Sequence, residues 1–491
     1  MRKSNFALAA AVAVALASGQ AVATNNGLTN NPDVTVYLSG SSAQSSNIAN
    51  AVKSLCQTGT LETYQPKSSN GNQKTYYCLS SGLNPIADGT KIMVRATYYT
   101  TVVGKTIFPA GQSASGSVIG AGPVARKNEL QFLAVSPAIA GNTSAGAPIC
   151  QDVTAAGSTN YTFTCDDTVS GVLAPYVPQL GITDLAPQWF VLENAPAEAG
   201  TISSSEIAKL TVTPGTIQIF NTPVTLVLRD ALQDIQFPGQ CAANRELASC
   251  TPNLTSDQLA KVFTGAATTW DQVVPGLQNK PVKIVRREIG SGTQATLNIA
   301  VPSKMYTDLT KAYPCTAGAQ PPILNSANVS VAGTGGLMQS GLTSANTAGD
   351  WSIGILAPSA NGAGPDASGT SPYRFVKIDG GAPTMNDTAA GKYKFFSQGT
   401  LQRLQTGAGT ANEVTLIDKI VAKATDPAII ASGNTSGAYK QSFGNWGYML
   451  PSATTNCSGT SCDTNPVTTQ RFAKAAESAP NNCVAPTANW P

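Results

Sequence analysis

Residues 283–297, KIVRREIGSGTQATL, decide how the rest of the chain is read. Val282 to Val285 is a short strand-like run, Arg286 and Arg287 follow it, Gly290-Ser291-Gly292-Thr293 is a turn of small residues, and a helical pattern opens near Gln294. A turn of this kind leaves backbone NH groups pointing outward at the positive end of the helix dipole, and serine and threonine hydroxyls add neutral donors. Such a turn binds anions. Arg287 adds a guanidinium whose fork of donors matches two oxygens of a tetrahedral oxyanion or a carboxylate. Read alone, GSGT serves equally well as a plain helix cap, because glycine and serine are common turn formers. It is not a P-loop, since no lysine follows the second glycine and the spacing is too short. Successive strand residues point to opposite sides, so one of Arg286 and Arg287 is expected in a cleft and the other in solvent.

Working outward, the same strand-turn-helix order occurs near the start of the chain. Val34 to Leu38 (VTVYL) is strand-like, Ser39 to Ser42 is a turn of small residues, and Gln44 to Leu55 carries Ile48, Ala49, Val52 and Leu55 at helical spacing. Between the two units, Thr255 to Gly265 reads as a structural helix, with Thr255 as N-cap, Gln258 completing a capping box, Leu259, Val262 and Phe263 as the apolar face and Gly265 as the stop. Strands alternating with helices argue for an α/β fold. Segments 57–75, 359–372 and 452–491 are rich in Gly, Ser, Asn, Thr and Pro and read as surface loops carrying no chemistry. Trp270 is expected in the core or at a hinge, and Tyr98 and Tyr99 on opposite faces of an extended run.

With 491 residues and 42% hydrophobic content, the chain has material for more than one core. Its net charge is +3, and losing Arg2 and Lys3 with a leader would leave +1, too little to hold nucleic acid non-specifically. There is no histidine, which removes Ser-His-Asp and Cys-His catalysis and His-ligated zinc together. Arg2 and Lys3, the apolar run Phe6 to Ala17 and Ala21-Val22-Ala23 read as a signal peptide over 1–23, implying a periplasmic or secreted protein with no membrane insertion. The ten cysteines then default to disulfides, with neighbours pairing: Cys56 with Cys78, Cys150 with Cys165, Cys241 with Cys250 and Cys457 with Cys462. Cys315 and Cys483 remain, and sequence does not establish that they pair. No Cys-x-x-Cys is present to favour a zinc site, so no metal or other cofactor is expected.

The run KIVRREIGSGTQATL resembles the Arg-x-x-Gly-Ser-Gly-Thr signature of the periplasmic phosphate-binding proteins of high-affinity phosphate ABC transporters. In order along the chain, VYLSGSSAQ resembles that family's first anion-binding turn, PQLGITDLAP its Gly-x-Ser-Asp segment, and LTSDQLAKVFTGAATTWDQVVPGL its Leu-Thr helix and Trp-Asp turn. VAGTGGL, WSIGILAP and YRFVKIDGGAP resemble its later turn and strands. The resemblance covers roughly 33–55 and 176–385 and is most specific at 252–296. It implies a two-domain type 2 substrate-binding fold with a hinge and central cleft: domain I from 24–220 with 355–491, domain II from 221–354, and crossings near 215–226 and 351–358. It also implies ligand contacts from Ser42, Ala43, Asp184, Arg287, Ser291, Gly292 and Thr293, with Ser115 supplying a further hydroxyl, inorganic phosphate or a related oxyanion as ligand, an ABC permease as partner and a monomeric state. Asp184 beside an anion is tolerable if it accepts a proton from that anion, which phosphate offers near pH 7 and sulfate does not. Its competing role is to cap a helix in LAPQWF.

Three features depart from the family pattern. Ile289 stands where the family has an acid, with Glu288 one residue away; Ala43 offers no side-chain donor; and 142 positions separate Ser42 from Asp184, a long insertion that holds Cys56, Cys78, Cys150 and Cys165. The insertion is expected to be a disulfide-braced elaboration of domain I, either a partner surface or a lid. The expected function is capture of an oxyanion by closure of the cleft, without catalysis. The alternatives are an exported surface or matrix protein that binds a macromolecule through the insertion, and a secreted phosphatase.

Overall fold

The computed structural model describes residues 31–68, 72–101, 113–144, 146–190, 194–195, 202–300, 326–357, 371–434, 440–441, 444–451 and 469–470. The expected signal peptide, Cys315, Cys457, Cys462 and Cys483 lie outside these residues, as do 359–370 and most of 452–491.

The strands that build the two main sheets are β1 (Val34–Gly40), β2 (Glu62–Pro66), β3 (Gln73–Leu79), β4 (Lys91–Thr97), β5 (Cys150–Asp152), β6 (Tyr161–Cys165), β7 (Leu180–Thr183), β8 (Leu210–Ile219), β9 (Val224–Thr225), β10 (Lys283–Arg287), β11 (Val329–Ala332), β12 (Ser352–Ile353), β13 (Tyr373–Arg374) and β14 (Phe396–Leu404). The first sheet has the order β5-β6-β2-β3-β4-β1-β7-β14-β8 and the second β11-β10-β12-β9-β13. Helices α1 (Ser45–Lys53), α2 (Ser256–Phe263), α3 (Gly292–Ala300), α4 (Gly335–Thr347) and α5 (Ala411–Ala424) pack against them. This is the α/β architecture expected from the alternation of patterns, with a main core against each sheet and smaller clusters, such as that of Tyr64, Tyr77 and Met93 on the other face of the first sheet. Val36, Leu38, Ile48, Val52, Ile182 and Leu416 belong to the first core, whereas Leu228, Leu259, Phe263, Ile284, Leu297 and Ile353 belong to the second.

Local rules explain individual elements. In β1, Val34, Val36 and Leu38 are buried while Thr35 and Tyr37 are only partly so, the alternation of a strand between two environments. Thr255 accepts from the Gln258 backbone NH while the Gln258 side chain reaches back to the Thr255 NH, the reciprocal cap read from the sequence. Trp270 is fully buried and donates its indole NH to the Trp351 carbonyl at 2.8 Å, so it is a core aromatic.

The connection between the sheets differs from expectation in one respect. Asn221 and Leu356 exchange both backbone hydrogen bonds, at 2.8 and 2.9 Å, so the two expected crossing segments do meet. The chain does not stay in the first sheet after 354, however. It returns to the second through β13, which pairs with β9, and re-enters the first only at β14. A third crossing segment therefore lies beside the other two, with the Phe220 NH bonded to the Phe395 carbonyl at 3.0 Å and the Asn221 amide bonded to the Val376 carbonyl at 2.8 Å.

The long insertion is neither a separate module nor a cap. Strands β2 to β6 widen the first sheet, with β4 parallel to β1, and the disulfides Cys56–Cys78 and Cys150–Cys165 tie α1 to β3 and β5 to β6. A third disulfide, Cys241–Cys250, closes a loop of the second domain. The stretch 57–75, expected to be a surface loop, instead contains β2 and the start of β3. Its Glu62 is buried in the strand, where the Tyr64 hydroxyl donates to it. Burial lifts the Glu62 carboxyl to about 7, and the Tyr64 bond offsets only part of that. Because the folded value lies above the unfolded one, the stabilising contribution of the proton is complete below the unfolded pKa and is lost as pH rises through about 7. Glu62→Gln should therefore melt with the wild type near pH 4 but be more stable by about 1–3 kcal/mol near pH 8.5. Thermal unfolding across that range checks this; a wild type as stable as the variant at the higher pH would overturn it.

Candidate functional site

Four turns at strand ends converge between the two sheets. After β1, the Ser39 hydroxyl donates to the Ile119 carbonyl at 2.7 Å, the Ser41 NH donates to the Ile182 carbonyl at 2.9 Å, and the Ser41 hydroxyl donates to the Asp184 carboxylate. Asp184 follows β7, and its NH donates to the Ser117 hydroxyl at 2.8 Å. Ser117 lies in the short 3-10 turn Gly116–Gly120, whose Val118 NH donates to the Gly290 carbonyl at 3.0 Å. That last bond joins the first domain to the GSGT turn of the second.

Close approach explains the glycine in the middle of GSGT. A Cβ at Gly292 would lie 2.2 Å from the Ser117 hydroxyl and 2.7 Å from the Asp184 Cβ, so any side chain there would force the cluster apart. The Ser291 hydroxyl accepts from the Gln294 NH at 3.4 Å, so the capping role read for this turn is present as well. Asp184 is not a helix cap: the turn Pro187–Trp189 starts from Ala186 and has no side-chain cap.

Arg287 ends β10 and is only 4% exposed. Its Nε donates to the Ala332 carbonyl at 3.2 Å and its Nη2 to the Gly333 carbonyl at 2.9 Å, which fixes the plane of the guanidinium. Arg286 on the opposite face is 3% exposed, so it is buried rather than solvated as expected; both faces of β10 are covered. No ion pair joins Arg287 to Asp184, yet each feels the other. Burial depresses the Arg287 pKa, opposed by the charges of Glu288 and Asp184. Burial likewise raises the Asp184 carboxyl, opposed by the Ser41 and Ser117 hydroxyls and the Arg287 charge. Glu288, one position before Ile289, thus acts on the guanidinium electrostatically although it does not occupy the family's acidic position.

Ser42, Ala43, Arg287 and Thr293 line one cavity of about 580 Å³, closed on another side by Gly335 at the start of α4 and by Leu356 at the crossing. Asp184, Ser291 and Gly292 form the packed layer beside these residues and do not line the cavity themselves. Ser115 ends a short strand, Ser113–Ser115, and its side chain lies outside the described residues. Sequence reading passed over Ser41 and Ser117, the two hydroxyls bonded to Asp184. For Ser117 a signal is present: SGSVIGA, followed by GPVAR, repeats the order of small-residue turn and helix.

Two sheets, joined by crossing segments and enclosing turns at strand ends, are the layout that the sequence resemblance implied. Residues 241–401 match the PBP superfamily domain. The match contains β10, the GSGT turn, α4 and the later crossings, and it includes the stretch 252–296 where the resemblance is most specific. Among solved structures, the chain is similar to a candidate phosphate ABC transporter substrate-binding protein of Clostridium perfringens with bound phosphate, at 14% identity and a TM-score of 0.41 over 81% of this chain and 97% of that one. It is also similar to an ABC-type phosphate transport receptor of Vibrio cholerae, at 11% identity and a TM-score of 0.38 over 81% and 98% of the respective chains. A curated relative, alkaline phosphatase L of Pseudomonas aeruginosa, is 39% identical over 70 residues. That stretch is 13% of this chain and spans about a fifth of the relative's length (19%). No helix among the described residues is long and apolar enough to cross a membrane.

Proposed function

We propose that this chain is an exported, monomeric solute-binding protein that captures an oxyanion, inorganic phosphate above all, between its two domains and hands it to an ABC permease. The observation that carries the reading is Arg287: a buried guanidinium held by two backbone carbonyls, with no salt-bridged carboxylate among the described residues, facing a cavity that Thr293 and Ser42 share. Burial depresses the Arg287 pKa despite the charges of Glu288 and Asp184, so the guanidinium is under-compensated, and a bound anion offsets that cost. Ser42, Ala43 and Thr293 at the cavity and Ser291, Gly292 and Asp184 beside it would complete the oxygen and proton partners, and hinging of the domains would exclude water. The test is isothermal titration of phosphate, with sulfate as control, into mature protein that has been unfolded, dialysed and refolded. Heat with phosphate that sulfate does not abolish supports the reading; no heat with either anion overturns it.

A second reading, phosphomonoester hydrolysis, rests on the short likeness to alkaline phosphatase L. The same preparation should release no phosphate from a phosphomonoester; release abolished by Arg287→Ala would favour the enzyme.

A further inference from the structure

The cavity is far larger than an inorganic oxyanion requires. Its volume of about 580 Å³ lies in the range of clefts that take whole small molecules, ~300–1,000 Å³, whereas phosphate has five heavy atoms. The excess room lies against the insertion. Thr164 of β6 pairs with Gln65 of β2, the β2–β3 register continues that row to Lys74, and all three residues line the cavity. Asn72 and Lys67, at the ends of β3 and β2, line it too. Three cationic side chains, Arg287, Lys67 and Lys74, therefore face one cavity, and no carboxylate is among its described lining residues. Lys74 is half-buried and makes no ion pair among the described residues; burial holds its ammonium below the usual lysine range. Lys67 stands at the exposed rim, where its charge reaches Asp166.

Partly burying a second cation, unpaired among the described residues, in a cavity that the Arg287 guanidinium already faces makes sense if the ligand brings a second anionic group. Resting on the reading of Arg287 as the oxyanion anchor, we propose that the cleft takes a condensed phosphate, a diphosphate in the simplest case, with one phosphoryl group at Arg287 and Thr293 and the other at Lys74, Lys67 and the Gln65 and Asn72 amides. The insertion is then the wall that enlarges a one-anion site into a two-anion site. Lysine suits this second position, because its compact ammonium neutralises charge without dictating a bidentate geometry.

The experiment titrates orthophosphate, inorganic pyrophosphate and glycerol 3-phosphate into refolded wild type and into the double variant Lys67→Gln/Lys74→Gln. Wild type should bind pyrophosphate at least about 10-fold more tightly than orthophosphate, and the double variant should lose that margin while holding orthophosphate within about 2-fold. Glycerol 3-phosphate, whose second end is neutral, should show no such margin in either protein. Orthophosphate binding with no preference for pyrophosphate overturns this inference and leaves the proposed function standing. A preference that survives in the double variant overturns the role of the lysines. No binding of any of the three overturns both. Circular dichroism of the double variant, whose changes lie on the cavity wall and not in a core, confirms that a lost margin is not a lost fold.

Discussion

Replacing Arg287 by alanine is expected to weaken phosphate binding by about 2–5 kcal/mol, roughly 30-fold to several thousand-fold in Kd. The size follows from burial. The guanidinium is shielded from solvent and hydrogen-bonded to the Ala332 and Gly333 carbonyls, and the turn Gly290-Ser291-Gly292-Thr293 holds no other cationic side chain to replace its charge. An anion seated at the GSGT turn of the variant would give up its hydration and find its nearest cations across the cavity, at Lys67 and Lys74. Arg287 also ties Ala332 and Gly333 to β10, so the alanine variant loses some local order as well. Arg287→Lys separates the two effects. It keeps a charge but not the fork, and should bind with intermediate affinity if charge is the main contribution. Calorimetry on both variants, with thermal unfolding alongside, checks this. Wild-type affinity in Arg287→Ala would remove the foundation of the proposed site.

How much of this was legible in the sequence depends on whether a residue's role is set locally or by distant strands. The turn at 290–293, the capped helix from Thr255 and the β1 unit are local, and they read correctly because spacing, caps and small residues all lie within about ten positions. The disulfides Cys56–Cys78, Cys150–Cys165 and Cys241–Cys250 also join near neighbours. What failed was set by the sheet. Strand β2, ETYQP, buries its glutamate and its proline, two residues that hydropathy assigns to solvent, because β3 and β6 flank it on both sides. Composition therefore marks the segment as a loop without chemistry, whereas Gln65 and Lys67 at its end line the cavity. Strand alternation puts one of Arg286 and Arg287 in solvent, and the resemblance, by choosing Arg287 for the cleft, leaves Arg286 there; that reading holds only when one face of a strand is open. The late return of the chain at β14 turns on the two-residue strand β13, too short to carry any period.

The site itself was half legible for the same reason. Arg287 and Thr293 sit in a motif whose spacing reveals them, but Ser41 and Ser117 are defined by what they bond to. Both converge on Asp184, 143 and 67 positions away: the pairing of β1 with β7 brings Ser41 there, and the 3-10 turn Gly116–Gly120 brings Ser117. Ser41 and Ser42 are adjacent and chemically identical, yet one bonds the acid and the other lines the cavity.

Asp184 carries the second large expectation, which concerns anion choice. Its carboxylate is supported by the Ser41 and Ser117 hydroxyls and lies within reach of the Arg287 field; as the proposed proton acceptor beside the cavity it would take the proton of hydrogen phosphate and repel sulfate, which has none to give. Asp184→Asn replaces the acceptor-only group by one that also donates. It should cut the preference for phosphate over sulfate by about 100-fold or more, ~2.7 kcal/mol, because the amide no longer excludes a fully ionised anion. Acid should imitate the mutation. Burial raises the Asp184 pKa, so as pH falls through that raised value the group takes up a proton and becomes a donor, and sulfate should gain affinity while phosphate loses its acceptor. In Asp184→Asn this pH dependence of selectivity should vanish. Competition of phosphate and sulfate for the site, followed by calorimetry from about pH 8 to about pH 5, reads both effects. Unchanged discrimination in the variant would mean that Asp184 serves to hold Ser41 and Ser117 in place and does not choose the ligand.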